Sequence, residues 1–274
     1  MMAQHKVKTI GLVVLGIILS IFWFYPFYLV IVNSFKTKAE IFVNTLGFPS
    51  EGTVENYPEA FGALDFVHSF LNSVFITVCS IFLICIFTSM AAYALSRRQG
   101  KTSSIIYFIF AICMLIPFQS IMIPLVSIFG SVDMLNRGGL MIMYLGLGSS
   151  LAVFLYFGAL RGIPMALDEA AIIDGCNRFQ VYWYIIMPML KSTTVTVIVL
   201  NAIWFWNDYL LPSLVINKEG MYTIPLKMFY FFGEYSKQWH LALAALVIAI
   251  IPIIVVYMFL QKYIIKGISE GAVK

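Results

Sequence analysis

Charge is scarce in this chain. Aspartate, glutamate, lysine and arginine make up 11% of its 274 residues, against about 25% in ordinary soluble domains. Hydrophobic residues make up 61%, and the mean hydropathy is +0.93. A chain this poor in charge cannot cover a water-facing surface, which excludes a soluble globular enzyme and indicates a polytopic membrane protein. The formal net charge of +4 is too small to argue for nucleic acid. Cysteine is sparse as well. Cys79, Cys85, Cys113 and Cys176 form no C-x-x-C pair, and three of them fall in apolar runs. Buried free thiols are therefore expected, not a metal site or a disulfide framework. His5, His68 and His240 are too scattered to form a ligand set. The apolar runs hold no H-E-x-x-H, no nucleophile–base pair and no cluster of acids, so a membrane-embedded enzyme has no support. Gly100-Lys101-Thr102 mimics the tail of a phosphate-binding loop. That motif needs another glycine five residues earlier, where Leu95 stands, and an apolar span precedes it in place of a strand. No catalytic residue, no metal and no cofactor bound by this chain are expected.

What the chain does have is long apolar runs. They cover residues 9–32, about 69–95, 104–128, 139–160, 191–212 and 239–261. Each is near the roughly 20 residues that cross a hydrocarbon core. Backbone groups in lipid must pair internally, so each run is expected to be a helix. The fold class is all-α, with six transmembrane helices. The first run is longer than the apolar part of a signal peptide and no A-x-A site follows it, so a retained span is expected. Pro117 and Pro124 should kink the third span, and Gly146 and Gly148 should let the fourth pack closely. Three segments are expected: residues 1–68, a helix plus an outer loop; residues 69–262, a five-helix core; and residues 263–274, a polar tail.

Orientation follows from lysine and arginine. One side holds Lys6, Lys8, Arg97, Arg98, Lys101, Arg161, Arg178, Lys191, Lys262, Lys266 and Lys274. The other holds Lys36, Lys38, Arg137, Lys218, Lys227 and Lys237, spread over longer loops. Both termini and the loop at 161–191 are thus expected on the cytoplasmic side of a multi-pass membrane protein.

That loop is the best punctuated stretch of the chain. Pro164 suits the first position of a helix, and Asp168 and Glu169 complement the helix dipole. Gly175 suits a left-handed stop. Asn177 and Gln180 have the spacing of a capping box. Pro188 marks the start of the next apolar run. Two short helices with a break at Gly175 are predicted. Ala166, Ala170 and Ala171 leave the first helix approachable, and Met165, Ile172 and Ile173 are apolar in a loop. Such a surface suits either packing on the chain's own spans or contact with another protein.

Glu169-Ala170-Ala171, three residues, Gly175, nine residues, then Ile185-x-Met187-Pro188 resembles the EAA signature of permease subunits of binding-protein-dependent ABC importers. Met187 stands where that family's pattern has leucine. Asn33-Ser34-Phe35-Lys36, Glu55-Asn56-Tyr57, Trp206-Asn207-Asp208 and the terminal Gly267 to Lys274 segment resemble its carbohydrate branch. The resemblance implies a type I ABC importer permease fold. It also implies an assembly of this chain, a second permease, two ATPase subunits that bind ATP and Mg, and an extracytoplasmic solute-binding protein, in the bacterial cytoplasmic membrane. The loop would be the coupling helix. Glu169 would orient it in the ATPase socket, Ala170 and Ala171 would allow close approach, Ile172 would add apolar contact, Gly175 would make the turn, and Asp168, Asp174, Arg178 and Pro188 would complete the set. The expected substrate is a sugar or oligosaccharide; a polyol or a glycerophosphodiester is the alternative.

Asp208 stands in an apolar run beside Trp204, Trp206 and Asn207. This is either an interfacial aromatic belt or a polar, aromatic wall of a translocation path. Asn72 and Asn201 are further lining candidates, or residues that bond between helices. Asn217-Lys218-Glu219-Gly220-Met221-Tyr222 is either a solvated outer turn or, by resemblance, the contact for the binding protein. An ion-coupled secondary transporter would carry several intramembrane charges and repeated halves; this chain has one such carboxylate and no convincing repeat.

Overall fold

The architecture was obtained as a computed structural model. It describes residues 2–98, 100–231 and 238–272, with side chains over 9–98, 100–229, 238–258 and 261. Lys237 and Lys274 lie outside the described residues, and the side chains of Lys6, Lys8, Lys262 and Lys266 and of the Gly267 to Lys274 segment lie outside the described side chains.

The described residues form helices and connecting turns, without strands. In order they are α1 (Met2–Ser34), α2 (Lys38–Val43), α3 (Asn56–Ala63), α4 (Phe66–Arg97), α5 (Lys101–Cys113), α6 (Phe118–Ser131), α7 (Arg137–Leu160), α8 (Ala166–Ile173) and α9 (Arg178–Gln180). A π-helical turn (Val181–Ile186) follows, then α10 (Met187–Met189), α11 (Lys191–Asn207), α12 (Leu210–Val215), α13 (Ile224–Phe231) and α14 (Trp239–Ala272). Four stretches are each long and apolar enough to span a membrane: Thr9–Ser34, Phe66–Arg97, Arg137–Leu160 and Trp239–Met258. Two bent helix pairs bring the number to as many as six, if each pair is one span.

Both bent pairs revise the expected spans. The third is broken, not merely kinked: α5 and α6 meet at 105°. Pro117 sits at the N-cap of α6 in extended conformation, where its ring disfavours a helical residue before it. Pro124 lies within α6 and leaves that helix continuous. The fifth span starts earlier than expected. The stretch Arg178–Met189 joins α11 at 74°, with Leu190 between them, so Pro188 precedes the bend instead of opening a straight run. α11 stops at Asn207, short of residue 212, and Asp208 is its C-cap. The last helix runs on to Ala272, through most of the stretch expected as a polar tail.

The chain forms two compact units, residues 1–66 with 228–253 and residues 67–227 with 254–274. In the first, α1 is exposed along its apolar length, as lipid-facing helices are. Its polar end is knotted. Lys36 is fully buried, and its ammonium donates to Asn33 Oδ1 at 3.0 Å, to the Asn44 carbonyl at 2.5 Å and to the Gly47 carbonyl at 2.6 Å. Asn56 donates to the carbonyls of Ser34 and Lys36, and Tyr57 meets the Ser34 hydroxyl at 2.7 Å. The Asn33–Lys36 and Glu55–Tyr57 segments are therefore two halves of one loop lock.

In the second unit α4 shows the polarity inversion of a membrane helix. Its buried face is mostly small and polar: Ser69, Asn72, Ser73, Thr77, Ser80, Thr88, Ser89 and Ala92. Its outer face carries Leu71, Phe75, Val78, Phe82 and Phe87. Lipid solvates the large apolar side chains, while small residues allow helices to approach. α7 answers with Gly148, where an added Cβ would stand 2.6 Å from Ile84 Cδ1 and 2.7 Å from Asn201 Oδ1. Gly146, by contrast, faces open space.

Candidate functional site

The loop between α7 and α11 folds as two short helices around a glycine. α8 begins at Ala166, two residues after Pro164, so the proline precedes the N-cap Met165 instead of occupying the first helical position. Gly175 has φ +92°, the left-handed region that favours glycine. Its N–H bonds the Ile172 carbonyl at 3.0 Å, and the Cys176 N–H bonds the Ala171 carbonyl at 2.9 Å, which closes the end of α8. The capping box at Asn177 forms in both directions: Gln180 N–H to Asn177 Oδ1 at 2.9 Å, and Asn177 N–H to Gln180 Oε1 at 2.8 Å.

The outward face of this loop is apolar. Ile173 is 85% exposed and Phe179 61%, and Met165, Leu167, Ile172, Tyr184 and Met189 are exposed with them. Glu169, Ala170, Asp174, Gly175, Arg178 and Pro188 share that exposure. Ala171 does not: it is buried in the hydrophobic core and cannot offer its surface to a partner.

Asp168 also turns inward. Its Oδ2 lies 2.9 Å from Arg97 Nη2 and its Oδ1 accepts from Arg97 Nε at 3.2 Å, a two-pronged ion pair. Tyr93 donates to the same Oδ1 at 2.5 Å, and Arg97 Nη1 reaches the Ile163 carbonyl at 3.1 Å. The reason is geometric. On α8 the spacing of Asp168 and Ala171 puts both on the face toward the chain's own helices, while Glu169 and Ala170 face away. From sequence Arg97 counts only as one of the cations of the cytoplasmic side, because its partner Asp168 lies 71 residues away.

Of the six residues expected along a path, four have polar groups bonded within the chain. Asn72 is buried; it donates to the carbonyls of Gly220 at 2.9 Å and Tyr222 at 3.1 Å and accepts from Arg137 Nη1 at 2.8 Å. Asn201, also buried, donates to the Val197 carbonyl of its own helix. Asp208 is not inside a helix. It accepts from Tyr144 Oη at 2.9 Å and from the Leu210 N–H at 3.0 Å, holding the turn between α11 and α12. Asn207 is exposed and bonds the Ile203 carbonyl. Trp206 packs edge-on against Phe70. Trp204 borders an apolar groove of about 800 Å³ that α5, α6 and α7 line with residues such as Phe110, Phe118, Leu125 and Leu147. The outer turn is exposed at Asn217, Lys218, Glu219 and Gly220, with Gly220 at φ +77° and Met221 and Tyr222 half-buried. No group of three or more metal-ligating side chains occurs among the described residues.

Comparison with known proteins agrees with this architecture. The signature of the family described as "Binding-protein-dependent transport system inner membrane component" matches residues 84–270. The probable starch degradation products transport system permease protein of Thermoanaerobacterium thermosulfurigenes is 57% identical over 273 residues, covering 100% of both chains. The multiple sugar-binding transport system permease protein of Streptococcus mutans is 37% identical, over 97% of this chain and 96% of that one. In the crystal structure of a bacterial ABC transporter involved in the import of the acidic polysaccharide alginate, one chain superposes with a TM-score of 0.81 at 26% identity, covering 94% of this chain and 96% of that one. The chain belongs to the inner membrane components of binding-protein-dependent transport systems and is a multi-pass permease subunit of an ABC importer.

Proposed function

We propose that this permease imports a sugar or oligosaccharide and takes its driving force from separate ATPase subunits docked on the α8–α9 loop. The observation that carries the coupling role is the exposed apolar face made by Ile172 and Ile173 of α8 and Phe179 of α9, on either side of the turn fixed by Gly175. A short helix is marginal alone in water, and an apolar face of this kind suits a partner's cleft. ATP and Mg would bind on the partner subunits, and this chain would perform no covalent chemistry. Glu169 and Ala170 would meet the socket directly, with Asp174 and Arg178 at its rim. Asp168 and Ala171 would act from inside, by setting the angle of α8. Both termini and the loop would face the cytoplasm of a bacterial cell, where the ATPases are. A second permease would complete the path, and the exposed turn 217–222 would meet the loaded binding protein.

The sugar class rests on the relatives. A starch degradation product system and a multiple sugar system cover nearly the whole chain at 57% and 37% identity. The test is uptake of labelled maltotriose by vesicles holding the complete importer, compared with Ile173→Asp. Uptake should require ATP, and the variant should insert in the membrane while losing its hold on the ATPase. Uptake that survives removal of the ATPase but stops with a protonophore would establish an ion-coupled transporter instead.

A further inference from the structure

The helix α4 is gripped at both ends. At one end, Ser89, Tyr93 and Arg97 lie four residues apart and so form one stripe on successive turns. All three bond the α8–α10 loop region. Ser89 Oγ meets Tyr182 Oη at 2.6 Å, Tyr93 donates to Asp168, and Arg97 forks onto Asp168 and reaches the Ile163 carbonyl. At the other end, Asn72 donates to the carbonyls of Gly220 and Tyr222, and Ser73 Oγ accepts from the Ile224 N–H at 2.9 Å. Arg137 closes this second grip through Asn72 Oδ1.

Between the grips the helix carries no residue that breaks it, and Thr88 and Ser89 bond the carbonyls of Ile84 and Cys85 one turn back. Sharp bends in helices arise at proline, at glycine or serine pairs, or at π-bulges. α4 contains neither glycine nor proline over its 32 residues, whereas α1 and α14 contain Pro26 and Pro252, and α7 holds Gly146, Gly148 and Gly158. At roughly 1.5 Å per residue, the stretch from Asn72 to Arg97 runs about 37 Å. That exceeds a hydrocarbon core of roughly 30 Å.

From this we infer that α4 is a strut linking the two loops, with Arg97, Tyr93 and Ser89 as positioning residues for the coupling helix and Asn72 for the outer turn. The inference deepens the proposed function and rests on it. A displacement of α8 is carried by the Arg97–Asp168 pair into α4 and delivered to the turn at 217–222, instead of dissipating in the α8–α11 connection. That connection has its own bend at Leu190, which makes it the softer route.

The test uses the complete importer in lipid vesicles, in a background whose native cysteines are changed to alanine. A single cysteine is introduced as Glu219→Cys, and its maleimide labelling rate is measured with and without a non-hydrolysable ATP analogue. The unmodified strut should show an analogue-dependent change of about fivefold or more, the low end of ordinary coupling between sites. Arg97→Asp and Asp168→Arg should each reduce that change to within about twofold, and the double exchange should restore it. Val78→Gly with Phe82→Gly alters only the outward face between the grips, and it should blunt the response although both grips stay intact. A full response in the two single variants overturns the inference. So does a full response in the glycine pair, which would make the ion pair a local brace only. No response in the background chain, with the ATPases bound, overturns the coupling reading and this inference with it.

Discussion

Replacing Gly175 by alanine separates backbone strain from steric overlap. An added Cβ at Gly175 meets nothing within 4 Å, so the whole effect comes from φ +92°. Left-handed backbone costs an L-residue about 1–2 kcal/mol, which corresponds to roughly a 5–30-fold shift in a local equilibrium. The groups released are the N–H of Gly175 and the N–H of Cys176, now bonded to the carbonyls of Ile172 and Ala171. Hydrogen exchange at Cys176 should therefore quicken by about 5–30-fold in Gly175→Ala. Gly175→Asn should quicken it less, because asparagine tolerates this region better. Thermal unfolding of the whole chain should move little, since the strain falls on the exposed turn at the end of α8 and the Cβ displaces nothing in the core. Gly148→Ala is the control. There the Cβ would stand 2.6 Å from Ile84 Cδ1, and overpacking of this kind costs about 1–3 kcal/mol, lowering the melting temperature while leaving Cys176 exchange unchanged. Exchange in Gly175→Ala equal to that of the parent protein would refute the argument, since the loop would then be held by something other than its glycine cap.

The break at Gly175, the cap at Asn177 and the membrane character of the chain were legible because each is local. They depend on residues within one or two turns, and composition and spacing report such features directly. The family resemblance was legible for the same reason, through the short signature at Glu169 to Pro188. What stayed hidden was pairing over distance. Asp168 read as a dipole-complementing carboxylate on an open helix, and only the fold brings Arg97 and Tyr93 onto it. Asn72 and Asp208 read either as path-lining groups or as structural ones, because a sequence shows a polar residue in an apolar run without showing its partner. Their partners are backbone groups of turns and the side chains of Arg137 and Tyr144. Ala170 and Ala171 are neighbours of equal chemistry, yet a step of about 100° around the helix buries one and exposes the other. The bent spans were half legible: Pro117 announced an interruption, but its angle depends on how α6 packs, which no local rule gives.

Two further outcomes probe the outer loop lock. Glu40 accepts from the Ser50 N–H at 2.5 Å and from the Ser50 hydroxyl at 2.7 Å, and these bonds, the backbone one foremost, hold its carboxyl below the ordinary carboxylate range. A depressed folded-state value means that the contact is intact above the ordinary carboxylate pKa and is lost as pH falls through the lower folded value. The protection factor of the Ser50 amide, its exchange taken relative to the intrinsic rate at each pH, should fall over that acidic window in the parent protein but should already be low at neutral pH in Glu40→Ala, and a flat protection profile in the parent would contradict the assignment. Lys36 makes the stronger case. All three ammonium donors are used, each on a neutral oxygen, and the side chain is fully buried. Lys36→Met keeps the stem but removes every donor, leaving Asn33 Oδ1 and the carbonyls of Asn44 and Gly47 without a partner. Each orphaned acceptor of this kind costs about 1–3 kcal/mol where it stays buried, and less where water reaches it. Lys36→Arg retains the charge, yet a planar fork cannot aim at three acceptors arranged around a point, so it should rescue only partly. Limited proteolysis between residues 37 and 53 gives the reading: cleavage should be fastest in Lys36→Met and intermediate in Lys36→Arg. Equal cleavage in Lys36→Met and the parent would mean that the lock is carried by Asn56 and Tyr57 alone.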